Sequence, residues 1–102
     1  MKHIFTRKYL AVYRREEKDE FVVQNMRKPW DTGHTHIHSY KQAKYLVDCE
    51  LNKKIPQNVN RYFIISLIRI TKDNKYKEQL QRKLDNWNKN DKYVNRPKNF
   101  RR

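Results

Sequence analysis

The sequence predicts an α+β domain: a small antiparallel sheet of two or three strands, then three helices and a disordered basic C-terminal tail. Three observations carry this expectation. Branched and aromatic residues with a two-residue period run through the segment before Ser39, as a half-buried sheet requires. From Ser39 onward the apolar residues switch to spacings of three and four, the period of an amphipathic helix. The final stretch, "NKNDKYVNRPKNFRR", has no period and holds six basic residues against one acidic. Such a composition buries too little apolar surface to fold by itself. The expected division is one domain over residues 1–88 and a flexible basic tail over 89–102.

Each element has a local reason. "KHIFTRKYLAVYRR" reads as strand, with Ile4, Lys8, Leu10 and Val12 set against Arg7, Tyr9, Tyr13 and Arg15. "EEKDE" is a polar break with no Asn-Gly or Asp-Gly pair to define its turn. "FVVQNM" is the next strand, "KPWDTG" a connection marked by Pro29 and Gly33, and "HTHIH" a short third strand. Ser39 with Gln42 three residues on forms a capping box. Ala43, Leu46, Val47 and Leu51 then line a helix that stops near Lys54, ahead of Pro56. Asn58 is placed to cap a second helix with a stripe of Val59, Tyr62, Phe63, Ser66, Leu67 and Ile70. Ile64, Ile65 and Ile68 widen that stripe, so the segment suits a core helix, a dimer interface or a buried strand. Asp73 caps a third helix carrying Tyr76, Leu80, Leu84 and Trp87, with Glu78 and Arg82 spaced for an ion pair.

Composition removes several function classes. A single glycine excludes the glycine-rich cradles of P-loop and dinucleotide-binding enzymes. A single cysteine excludes an internal disulfide or a thiolate zinc cluster, and it fits a reducing cytosol. The longest apolar run, "YFIISLI", is far shorter than a membrane span. The net charge of +14 is the strongest signal, because such a field draws polyanions, and nucleic acid is the commonest in a cytosol.

His34, His36 and His38 recur at every second position and would share one strand face. Three such imidazoles extend over roughly 13 Å, too far for all to reach one ion at about 2.0–2.1 Å. No metal or cofactor is therefore expected. Paired His-x-Thr motifs and the second histidine of an HNH-type nuclease are missing from the sequence. Cys49 lies between Asp48 and Glu50, which disfavour a thiolate nucleophile. The protein is accordingly expected to be non-enzymatic.

What remains is a recognition face. With Leu10, Val12 and Ile37 inward, the outer face would present Arg7, Tyr9, Tyr13, Arg15, His36 and His38, a mixture of donors and flat rings suited to phosphates and bases. Arg14, Arg15, Lys41, Lys44 and the tail would add phosphate contacts. The first functional expectation is binding of nucleic acid, DNA before RNA, or of a nucleoprotein. The alternative is an inhibitor or derepressor docking on a regulatory protein through Trp30, Tyr40 and Tyr45. A metal-dependent nuclease using the three histidines is a distant third.

Two resemblances bear on this. "HTHIHSYKQAKYLVDCEL", preceded by strand, charged turn and strand, resembles the AP2-like DNA-binding domains of tyrosine integrases over residues 7–54. That likeness implies sheet-mediated contact through Arg7, Tyr9, Tyr13 and Arg15. "KPWDTGHTHIHSYKQAK", "NKKIPQNVNRY" and "SLIRITKDNKYKEQL" are similar to a group of small staphylococcal phage proteins over about residues 26–82. This implies an early phage product in a bacterial host cytosol. Its partner would be DNA, or a repressor, replication factor or CRISPR effector.

Overall fold

The computed structural model describes the backbone of residues 1–95 and the side chains of residues 1–87. Four antiparallel strands pair in chain order: β1 (Lys2–Arg7), β2 (Leu10–Arg15), β3 (Glu20–Asn25) and β4 (His34–Ile37). A one-turn helix, α1 (Trp30–Gly33), precedes β4. Three longer helices follow: α2 (Tyr40–Asn52), α3 (Arg61–Ile70) and α4 (Asn74–Asn95). The expected class is correct and the strand count is not.

"KHIFTRKYLAVYRR" folds as a hairpin rather than one strand. Arg7 pairs with Leu10, and Lys8 takes a left-handed conformation with φ 53° between them. Lysine is a rare occupant of that region, so no Gly or Asn marks the turn in the sequence. A register shift between His3 and Phe5 acts as a β-bulge, leaving His3 opposite Tyr13 and Phe5 opposite Val12. The "EEKDE" break is a short 3-10 turn over Glu16–Lys18, closed by Asp19 at φ 48°.

The core lies on one face of the sheet. Leu10, Val12, Phe21, Val23 and Ile37 pack against residues from α2, α3 and α4. The Ser39 hydroxyl accepts from the Gln42 amide at 3.2 Å to start α2. α3 is a helix, not a strand, and its cap is Asn60, whose Oδ1 accepts from the Phe63 amide at 3.0 Å. Asn58 instead sits at φ 58°, two residues before the helix can begin. Asp73 Oδ1 caps α4 through the Tyr76 amide, and the Tyr76 hydroxyl donates its one hydrogen between the Cys49 and Lys54 carbonyls, both within reach at the end of α2. α4 continues to Asn95, so the backbone is helical over the first part of the stretch read as a tail; residues 96–102 lie outside the described ones. No helix of the described residues is long and apolar enough to cross a membrane.

Candidate nucleic-acid interface

Strand alternation sends the other half of the sheet residues away from the helices. Tyr13, Val22 and His36 are in register across β2, β3 and β4, as are Ala11, Gln24 and His34. Ala11 and Val22 are buried yet stand outside the helix-packed core. What covers them is a layer of polar and aromatic side chains on an otherwise open face.

That layer is organised by short contacts. The Trp30 and His34 rings stack with centroids 4.2 Å apart and planes 10° apart. His34 meets His36 edge-on at 5.2 Å, and His3 meets Tyr13 edge-on at 5.6 Å. At about 4.8 Å between strands, the His36 and Tyr13 groups lie roughly 10 Å apart across Val22. His34 Nδ1 donates to the Trp30 carbonyl and His36 Nδ1 donates to Glu20 Oε2 at 2.6 Å. The orientation of both rings is thereby fixed, and neither Nε2 has a partner among the described residues. Arg15 Nη1 reaches the same Glu20 oxygen at 3.2 Å. Burial alone would raise the Glu20 carboxyl, but the His36 hydrogen bond and the charges of His36, Arg15 and His38 hold it below its ordinary value. Trp30 remains 43% exposed, which leaves part of the residue accessible to a ligand.

A basic cluster adjoins the Trp30 end of this row. Arg69 donates from Nε to the His34 carbonyl at 2.6 Å and from Nη2 to the Asp31 carbonyl at 2.7 Å, which ties α3 to α1 and β4. Lys28 Nζ donates to the Arg69 carbonyl at 2.7 Å, near the negative end of the α3 dipole. The one glycine permits this arrangement: a Cβ on Gly33 would stand 2.6 Å from the Lys28 Cβ. Burial, and then the charges of Lys77, Arg69 and Lys72, lower the Lys28 ammonium. The charges of Arg69, Lys72 and Lys77 thus all act on Lys28, and no ion pair among the described residues involves any of the four. This cluster is not legible in the sequence because Lys28 lies 41 residues ahead of Arg69, in the stretch that also holds Lys72 and Lys77.

No protein-family model, curated protein or solved structure matches the chain.

The structure divides the residues expected on one nucleic-acid face. Tyr13, Arg15 and His36 are on the open face. His38 lies past the end of β4, where it lines a groove of about 530 Å³ with His36, Gln42, Asn60 and Tyr62. Arg7 pairs with Leu10 and so shares the helix side of the sheet, where the Lys54 hydrogen bond and charge, and to a lesser degree the Arg7 charge, lower the Asp48 carboxyl. Tyr9 belongs to the β1–β2 turn, and its hydroxyl donates to Glu50 at 2.8 Å on the core side. Arg14 lies 5.1 Å over the Phe21 ring, and Lys44 lies 5.6 Å from the exposed Tyr40 ring, itself against Phe21. These residues therefore form a second patch at the start of α2, with Lys41 exposed on the same helix. The departures of Arg7 and Tyr9 have one cause: the hairpin turn takes Lys8 and Tyr9 out of the strand, so Arg7 and Leu10 face the same side.

The set of Trp30, Tyr40 and Tyr45 is not one patch either. Trp30 stacks on His34, Tyr40 meets Phe5 and Phe21, and Tyr45 packs on Phe63. Cys49 is fully buried, and burial, more than its acidic neighbours, pushes its thiol up to about 11. Among the described residues no group of three or more His, Cys, Asp or Glu side chains is placed to hold a metal ion.

Proposed function

We propose that the protein binds nucleic acid without catalysis, single strands in preference to duplex, through the open sheet face and the cationic cluster beside it. The observation that carries this reading is the row Trp30–His34–His36, with Arg69 bound to the His34 and Asp31 carbonyls at its end, Lys28 bound to the Arg69 carbonyl, and the charges of Lys72 and Lys77 acting on Lys28. Rings offer stacking surface to bases of any sequence, and neighbouring cations take the phosphates. Stacking needs unpaired bases, because in a duplex the ring faces are already covered by their neighbours. DNA and RNA strands share this chemistry.

The test is fluorescence anisotropy of labelled single strands and duplexes across a salt series. Tighter binding of single strands, retained at about 0.15 M salt, supports the reading. Duplex binding equal to or tighter than single-strand binding would oppose it. A second reading, docking on a regulatory protein, is favoured by one feature. Tyr62 is 70% exposed and Ile65 40% exposed beside the His36–His38 groove, an apolar strip that the described residues leave uncovered.

A further inference from the structure

A separate cavity of about 330 Å³ opens between the end of β3, the end of α2 and the start of α4, near the small end of the range for ligand sites. Glu50 lies in its wall, 1% exposed. Its Oε2 accepts from the Tyr9 hydroxyl and from Lys53 Nζ, both at 2.8 Å. Its Oε1 is buried and has no donor, the one such side-chain atom among the described residues. A buried acceptor left without a donor is unfavourable enough that a partner is expected.

The rest of the lining is the opposite in character. Both polar atoms of the Asn25 side chain are engaged, Nδ2 donating to the Ile70 carbonyl and Oδ1 accepting from the Arg27 amide. The Asp73 carboxylate is occupied through Oδ1 by the Tyr76 amide. Arg27, stacked 4.2 Å over the Tyr9 ring, and Lys72 have no carboxylate partner among the described residues. The charges of Lys72, Lys77 and Arg69, all acting on Lys28, favour a dianion over a monoanion at this mouth.

We infer that this cavity binds a small phosphate monoester bearing a hydroxyl. The phosphate is held by Arg27 and Lys72, and the hydroxyl donates to Glu50 Oε1 directly or through one water. A free sugar phosphate and a nucleotide share this chemistry. The site shares Lys72 with the cationic cluster assigned to nucleic acid but depends on Arg27 and Glu50, which that reading does not use, so loss of the ribose 5-phosphate preference would leave the nucleic-acid reading standing.

The test is isothermal titration calorimetry of the full chain with ribose 5-phosphate, adenosine 5′-monophosphate, inorganic phosphate and ribose. The expected order is ribose 5-phosphate above inorganic phosphate by roughly tenfold, with ribose silent. Adenosine 5′-monophosphate tighter than ribose 5-phosphate would assign a nucleotide, and equal affinity a sugar phosphate; both support the site. Lys72→Gln, on an exposed side chain, should weaken ribose 5-phosphate and inorganic phosphate alike. Glu50→Gln should bring ribose 5-phosphate down to the level of inorganic phosphate. Should Glu50→Gln fail to fold, the wild-type ratio of the two ligands decides alone. No saturable heat with either phosphate compound, or equal affinity for ribose 5-phosphate and inorganic phosphate, would overturn the inference.

Discussion

Replacing Lys72 and Lys77 together by glutamine tests whether the cationic cluster meets phosphates. Both side chains act on Lys28 by charge alone and belong to no ion pair among the described residues. Their loss relieves repulsion, so the melting temperature should hold or rise. On a single strand each neutralised phosphate contributes about −0.7 to the slope of log affinity against log salt. Two lost contacts should therefore flatten the slope by about 1.4. Between about 50 and 200 mM salt, a fourfold change, the wild type should lose about sevenfold more affinity than the variant. Anisotropy titrations at four or more salt concentrations measure both slopes, and circular dichroism confirms folding. An unchanged slope in a folded variant would refute the assignment of phosphates to this cluster.

Three further outcomes are expected. Asn60→Ala removes the α3 cap and should lower stability by about 1 kcal/mol, a fall of roughly 4–8 °C in Tm; Asn58→Gly, at a positive φ, should leave Tm unchanged or raise it. The Glu20 carboxyl is held below its ordinary value of 4.5 in the folded chain, so it stabilises above that pH and the contribution is lost as pH falls through the lowered folded value. Urea midpoints of the wild type should thus decline more steeply below pH 4.5 than those of Glu20→Gln, and parallel declines would contradict the Glu20–His36 contact. Cys49, buried and with its thiol pushed up to about 11, should resist a thiol reagent in the native protein at neutral pH and react in urea; rapid native modification would mean that α2 opens locally.

The parts of the fold legible in the sequence were those set by periodicity. The two-residue period put His34 and His36 on one face and Ile37 on the other, and the spacing from Ala43 to Leu51 defined α2. Ser39 and Asp73 were legible as caps because a short polar side chain stands just ahead of an apolar helical stripe. The β1–β2 hairpin was hidden because Lys8 adopts a conformation that glycine or asparagine usually marks. Asn58 was mistaken for the cap because Asn60, the residue used, has the same chemistry two positions later. The basic cluster and the Glu50 cavity were illegible for a different reason: Lys28 meets residues 69–77, and Glu50 meets Tyr9, Arg27 and Lys72, only through the tertiary fold, and net charge carries no information about where charges meet.

The most direct measurement is mapping of nuclear magnetic resonance shifts on the labelled full chain during titration with a short single-stranded oligonucleotide, observing the Trp30 indole, the His34 and His36 imidazoles, and the Lys and Arg side chains. The expected result is that perturbations concentrate on Trp30, His34, His36 and Tyr13 and on Lys28, Arg69, Lys72 and Lys77. Perturbations concentrated instead on Arg14, Tyr40, Lys41 and Lys44, with the open sheet face unmoved, would contradict the proposed interface.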